Sequence, residues 1–193
     1  MMKLVLTCFV LVCALGGSGF GDNTFSRVGF EAVYFYPTTL PLDYLGWPRQ
    51  FDTFRGLGCE LGRVSGHFDL SLEAHWVSAS THTQTWQDSY AILYMVTPRL
   101  SYRLFGRRTP YIGAGSGYCL VREKPDITRS EIPDVCITTR TISFEPFAGY
   151  DLRLTKRFGL KLEGRSQVIS PSEASFMHGM SGSVGVYVAF GGD

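Results

Sequence analysis

The segment Tyr90–Leu104, YAILYMVTPRLSYRL, decides the fold class. Its even positions are Tyr90, Ile92, Tyr94, Val96, Pro98, Leu100, Tyr102 and Leu104. Its odd positions are Ala91, Leu93, Met95, Thr97, Arg99, Ser101 and Arg103. The even set is apolar from end to end, while the odd set becomes polar and then basic. A helix of 3.6 residues per turn would scatter both sets around its circumference. A strand sends successive side chains to opposite faces and keeps the sets apart. The segment therefore reads as a β-strand with one greasy face.

The same alternation predicts seven more strands. Ser26–Tyr36 sets Val28, Phe30, Ala32, Tyr34 and Tyr36 against Arg27, Gly29 and Glu31. Phe51–Val64 sets Leu57, Cys59 and Leu61 against Gly58, Glu60 and Gly62, and His67–Ser78 sets Phe68, Leu70, Leu72, Ala74 and Trp76 against Asp69, Ser71, Glu73 and His75. Pro110–Val121 opposes Ile112, Ala114, Tyr118 and Leu120 to Gly113, Gly115 and Gly117. In Arg140–Leu154 the polar face holds Ser143, Glu145, Asp151 and Arg153, and in Phe158–Ile169 it holds Lys161, Glu163, Arg165 and Gln167. Met180–Phe190 completes the set, with Val184, Val186, Val188 and Phe190 on its apolar face. The connections alternate too. Long loops are expected at 37–50, 79–89, 122–139 and 170–179, and tight turns at 65–66, 105–109 and 155–157.

Composition agrees with one all-β domain. The chain has 193 residues, with 22 Gly, 14 Phe, 10 Tyr and 3 Trp, and only 18% charged residues. A disordered segment or a long coiled coil would carry more charge. A net charge of +1 offers no broad basic field, so nucleic acid is not an expected partner. At the N-terminus Lys3 precedes the apolar run Leu4–Leu15 and then Gly16, Gly17, Ser18, Gly19 and Gly21. That order is expected of a cleaved secretory signal peptide over residues 1–21, leaving 22–193 as the mature barrel domain. The run is too short to span a bilayer as a helix. No later segment reaches 18 apolar residues, which excludes a helical membrane protein and leaves a membrane β-barrel open.

Alternation alone does not say which face is inside. A soluble barrel carrying a small apolar ligand, as lipocalins do, would turn its apolar face inward. Three features favour the inverse. The polar face carries charges of both signs: Arg27, Glu31, Glu60, Asp69, Glu73, Arg99, Arg103, Glu145, Asp151, Arg153, Lys161, Glu163 and Arg165. Its glycines cluster at Gly56, Gly58 and Gly62 and at Gly113, Gly115 and Gly117, leaving room for long ionic side chains to cross a narrow interior. On the apolar face, Tyr36, Trp76, Tyr90 and Tyr118 lie toward the long loops and Phe68, Tyr102, Phe158 and Phe190 toward the turns, as two interfacial girdles would. Charges on that face are confined to strand ends, at Arg55, Arg63 and Arg140.

With those residues in view, the chain resembles the small eight-stranded outer-membrane barrels of Gram-negative bacteria, the OmpA/OmpX-like group, over Thr24–Phe190. The resemblance implies an up-and-down antiparallel transmembrane barrel in the outer membrane, surrounded by its lipid. The last strand, SVGVYVAF, is similar to the group's C-terminal assembly signal, with Ser183, Gly185, Val188 and Phe190 in the signature places. This implies recognition by the barrel-assembly machinery, although the chain continues through Gly191, Gly192 and Asp193 where many members end on the aromatic.

An eight-stranded barrel is just wide enough to be filled by its own side chains, so a lumen plugged by the charged set is expected, without a wide pore. The expected role is structural or surface-interacting and without catalysis. The long loops carry Tyr44, Trp47 and Trp86 toward an extracellular partner. The alternative is an enzyme acting on lipid A near the outer leaflet, which needs a serine or water beside a histidine. His178 with Ser175, Ser181 and Glu173, or His75 with His82, are the candidates, although His178-Gly-Met-Ser does not fit the deacylases' His-x-Ser-Asn pattern. The four histidines (67, 75, 82, 178) and the cysteines form no CxxC or HExxH spacing, so neither metal nor cofactor is expected. Cys119 and Cys136 flank the third long loop and leave two readings open, a disulfide stapling it or two free thiols.

Overall fold

The structure is a computed structural model that describes residues 24–39, 53–83, 86–104, 110–124, 137–172 and 175–191. These residues form eight strands: β1 (Thr24–Thr39), β2 (Phe54–Ser65), β3 (Phe68–Thr83), β4 (Trp86–Arg103), β5 (Pro110–Lys124), β6 (Ile137–Arg153), β7 (Phe158–Ser172) and β8 (Ser175–Phe190). Each pairs antiparallel with its neighbours, and β8 returns to β1 through pairs such as Val28↔Val188 and Tyr34↔Gly182, closing the barrel. Closure leaves no edge strand, so every strand's backbone groups can pair along the ladders.

Parity works as the alternation requires. From Ala91 to Arg103 of β4 the odd positions are buried and the even ones face outward, and alternate residues divide in this way in every strand, with the even positions inward in β2. Large apolar residues cover the outside: Phe30, Leu57, Leu70, Leu100, Ile142, Val184 and Val186 are all exposed, Ile142 by 69%. Tyr36, Trp76 and Tyr118 are exposed toward one end, and Phe68, Tyr102, Phe158 and Phe190 at the other. The side chain of Tyr90 lies outside the description.

On the turn side, Gly66 takes φ +59°, a conformation that side chains disfavour, in the two-residue link from β2 to β3. The β6–β7 turn is held by Thr155, whose Oγ1 accepts from the backbone N–H of Phe158 at 3.0 Å and of Arg157 at 3.2 Å.

At the opposite end the strands run further than alternation predicts. The β3–β4 ladder reaches Thr83↔Trp86, and the β7–β8 ladder reaches Ser172↔Ser175. Trp86, Ser175 and His178 thus belong to strands, not to long loops. Hydrophobic alternation marks only the part of a hairpin that meets hydrocarbon. Beyond it, Ser78–Thr83, rich in small polar and β-branched residues, continues the ladder with no greasy face to signal it. Residues 1–23, with the expected signal peptide, and Tyr44 and Trp47 fall outside the described residues.

Candidate functional site

The lumen is built in three layers. In the middle, strand parity turns Arg27 and Glu31 (β1), Glu60 (β2), Asp69 and Glu73 (β3), Arg99 and Arg103 (β4), Glu145 and Asp151 (β6), and Lys161, Glu163 and Arg165 (β7) inward, all buried. Toward the turns, Arg27 reaches Glu60 at 2.5 Å, Asp69 at 2.7 Å and Asp151 at 2.8 Å. Arg103 joins the same group through Asp69 at 3.1 Å and through Asp151. At the centre Lys161 Nζ lies 2.5 Å from Glu73 and 2.9 Å from Glu60. Above it Arg165 spans Glu31 at 2.7 Å, Glu163 at 2.6 Å and Glu73 at 3.2 Å. Arg99 pairs with Glu73 and, at 2.6 Å, with Glu163, while its guanidinium lies 3.4 Å over the Phe147 ring.

Bridging pairs such as Lys161–Glu73 join β7 to β3, four strands away around the barrel, so the network ties opposite walls together. Glycine makes the space. A Cβ at Gly58 would come within 2.9 Å of the Glu31 side chain, and one at Gly115 within 2.8 Å of Arg99 Cγ.

Arg153 departs from the expected set. It is the last residue of β6, beyond the buried Asp151, and its guanidinium turns out to the carbonyls of Thr155, at 3.2 Å, and Lys156. There it also lies 5.2 Å over the Phe25 ring. At the barrel's open end water and turn carbonyls are available, so the side chain has no need to enter the lumen.

Other inward groups complete the network. His75 Nε2 meets Glu31 Oε1 at 2.5 Å, and Arg165 Nη1 lies 2.8 Å from the same nitrogen. Tyr111 donates to Glu163 at 2.8 Å and Gln167 to Glu145 at 2.7 Å. Parity already placed His75 on the polar face of β3, so its lumen position was signalled; its partners were not. Glu31, Glu73 and His75 bring ligand-type atoms within 4.8 Å of one another. Arg165 and Lys161 are paired with the same carboxylates, so the trio is already charge-compensated and no cation is needed to explain it.

Apolar layers cover the network on both sides. On the long-loop side Val33, Phe35, Phe54, Val77, Leu93, Met95, Cys119 and Ile169 pack as one buried cluster. Phe35 and Phe54 meet edge to face at 5.6 Å within it. On the turn side Phe25, Val64, Tyr187 and Ala189 form a smaller cluster. Polar groups share the levels of both clusters: Thr141 pairs with Cys119 and Ser181 with Phe35 on the long-loop side, and Asp69 pairs with Val64 and Arg27 with Ala189 on the turn side.

No family model matches the chain, and no curated protein sequence does. Solved structures match in fold. The Ail protein of Yersinia pestis, an attachment invasion locus protein solved with the heparin analogue sucrose octasulfate, aligns with a TM-score of 0.53 at 11% identity, over 86% of this chain and 97% of Ail. The N-terminal β-barrel domain of Pseudomonas aeruginosa OprF aligns with a TM-score of 0.50 at 13% identity, over 89% and 100% of the two chains. The chain has the fold of an outer-membrane β-barrel. Its apolar outer wall has stable surroundings only in hydrocarbon, and wall and fold together place it in the Gram-negative outer membrane.

In this barrel the four residues of the expected assembly signal divide between faces. Ser183 and Gly185 point inward, while Val188 and Phe190 point toward lipid. Cys59 faces outward and is half-buried; Cys119 lies within the long-loop-side cluster as a buried free thiol, and Cys136 falls outside the described residues. His178 is corrected in its partner. It lies on the outward face of β8, whereas Ser181 points inward, and its Nε2 instead meets Ser166 Oγ of β7 at 2.9 Å. Ser166 carried no signal in the sequence, because its nearness to His178 depends on the β7–β8 register. The side chains of Ser175, His82 and Glu173 lie outside the description.

Proposed function

We propose that this protein is a sealed, non-conducting outer-membrane barrel whose role is structural or surface-interacting. The observation that carries this reading is the filling of the lumen by buried side chains, an apolar layer on the long-loop side and dense ion pairing through the middle and toward the turns. An apolar layer excludes water and ions, and with ion pairs packed beneath it the lumen lacks the continuous wet path that conduction needs. In this reading the charged residues act as a scaffold joining opposite walls. The surface-facing connections between β1 and β2 and between β5 and β6 meet an extracellular partner.

Residues 1–21 export the chain, and Ser183, Gly185, Val188 and Phe190 present it to the barrel-assembly machinery. No cofactor is required. The test is single-channel recording of the purified, heat-modifiable protein in a planar bilayer. A quiet membrane is expected after insertion; a steady open-channel current would overturn the reading.

A further inference from the structure

The outer wall holds a feature that a structural barrel does not need. Ser166 and His178 both face outward on neighbouring strands, set diagonally by the pairs Ser166↔Met180 and Val168↔His178. Their side chains are half-buried and joined at 2.9 Å, from Ser166 Oγ to His178 Nε2. Around them the wall is apolar, with Val168 and Met180 as immediate partners and Leu162 and Val184 below. Polar side chains on a lipid-facing wall are costly and mark function when they recur as a matched pair. A serine hydroxyl within hydrogen-bond reach of an imidazole is the arrangement of an activated nucleophile and its base.

Their level in the membrane fits. Ser166 lies eight residues along β7 from Phe158 of the turn-side aromatic ring. At about 3.3 Å per residue and a tilt near 40°, that is roughly 20 Å across an apolar band about 25 Å tall. The dyad therefore sits at the upper margin of the outer leaflet, where lipid ester groups lie.

A shallow, largely open depression of about 730 Å³ lies on the same wall directly below. Its floor is Gly164 and Gly182, which pair with each other, and each is the next outward residue below Ser166 or Met180 on its strand. Nothing lies within 4 Å of a Cβ added at Gly164. Tyr34, Tyr150, Leu162 and Val184 wall the slot with apolar surface. Arg55 stands at its rim, exposed, with its guanidinium 5.8 Å from the Tyr34 ring centre. A greasy slot, a cation at its edge and a Ser–His pair above it match one chemistry: the acyl ester of an anionic lipid.

We propose that Ser166 and His178 form an acyl-ester hydrolase site on the lipid-facing wall, with the depression holding the acyl chain and Arg55 the anionic head. Ser166 Oγ attacks the ester carbonyl as His178 Nε2 takes its proton. Collapse of the tetrahedral adduct breaks the bond to the alkoxy oxygen, which leaves as the alcohol with that proton, and the acyl group stays on Ser166. Water, deprotonated by His178, then attacks the acyl-serine, freeing the fatty acid and restoring the hydroxyl. The reaction adds one water across one ester bond and needs no other reactant. This departs from the expectation of a barrel without catalysis, and its site is separate from the lumen, so a conducting or a closed barrel leaves it unaffected.

The test uses the full-length folded protein in mixed micelles, with the heat-shifted gel band as proof of folding. A fluorophosphonate probe is expected to add to Ser166, located by peptide mass spectrometry. Fatty acid release is measured from phosphatidylglycerol in one arm and from purified lipid A in another; whichever releases acid identifies the source of the ester. Ser166→Ala is expected to abolish labelling and release, and His178→Ala to lower release by about 100-fold or more. Ser116→Ala, outward on the far strand β5, is expected to retain both. Gly182→Leu, which fills the slot, is expected to slow a long-chain ester more than a short one. Wild-type protein that is folded yet takes no label at Ser166 and releases no acid from either lipid would overturn the proposal.

Discussion

The middle of the lumen and its long-loop side are built by the same eight strands, on the same inward parity, with opposite chemistry. In the middle, Glu73 alone is approached by Lys161, Arg99 and Arg165. On the long-loop side, Leu93, Met95, Phe35 and Phe54 fill the same cross-section with no charge among them. The difference teaches that inward-facing does not mean polar. What the interior of a narrow barrel requires is filling, and either dense ion pairing or dense apolar packing supplies it. The two differ in what happens when one part is removed. An apolar layer loses contacts locally, whereas an ionic layer that loses one cation leaves several buried carboxylates each short of one partner.

The largest expected effect follows from that asymmetry. Arg165→Met keeps an unbranched stem, shortens the side chain and removes the charge facing Glu31, Glu73 and Glu163. Breaking a buried ion pair by removing one partner costs about 3–5 kcal/mol. Denaturant titration of the folded protein in detergent, followed by the heat-shifted gel band, is expected to show a loss of that size. An Arg165→Met barrel as stable as wild type would mean that water reaches the network and the middle layer is not sealed.

Leu93→Ala probes the other layer. Leu93 is 1% exposed and sits within the long-loop-side cluster. Truncating a buried leucine costs about 2–5 kcal/mol, depending on how far the site collapses. The same titration is expected to give a value at or below that of Arg165→Met. If planar-bilayer recording of Leu93→Ala shows brief openings absent from wild type, the apolar layer is the barrier to ions; if the variant stays silent, the ionic layer is sufficient by itself.

The strand set, its parity and twelve of the thirteen inward charges were legible in the sequence, because a half-hydrocarbon environment writes itself into alternate residues. The exception, Arg153, has the right parity but lies where the wall ends, and parity carries no depth. Alternation likewise fades at the upper margin of the bilayer, where polar groups such as His178 interrupt the apolar face, which is why β8 begins five residues before Met180, the first residue expected of it, and why His178 read as a loop residue. Pairing across strands was the least legible of all. His75 and Glu31, or Ser166 and His178, meet only because of register, and register is a property of two segments read together.

Gly115→Ala tests the space between layers. An added Cβ would stand 2.7 Å from Thr97 Cγ2 and 2.8 Å from Arg99 Cγ, so both side chains must move. Overpacking of this kind costs about 1–3 kcal/mol. Because Arg99 is held by Glu73 and Glu163, its freedom to shift is small. The double variant Gly115→Ala with Arg99→Met separates crowding from charge. If Gly115→Ala costs as much in the Arg99→Met background as in wild type, crowding of Arg99 is not the cause.

Arg153→Ala is expected to have the smallest effect and so bounds the comparison from the outside. Its guanidinium shares the parity of the network but meets backbone carbonyls of Thr155 and Lys156 and the face of Phe25 instead of carboxylates. Exposed polar and ionic contacts contribute about 1 kcal/mol or less, and salt screens the ionic part. The loss on titration is therefore expected to be under about 1 kcal/mol by the same measure. A loss approaching that of Arg165→Met would show that the rim arginine is coupled to Asp151 and its neighbours, and that the ionic layer extends to the turn-side mouth of the barrel.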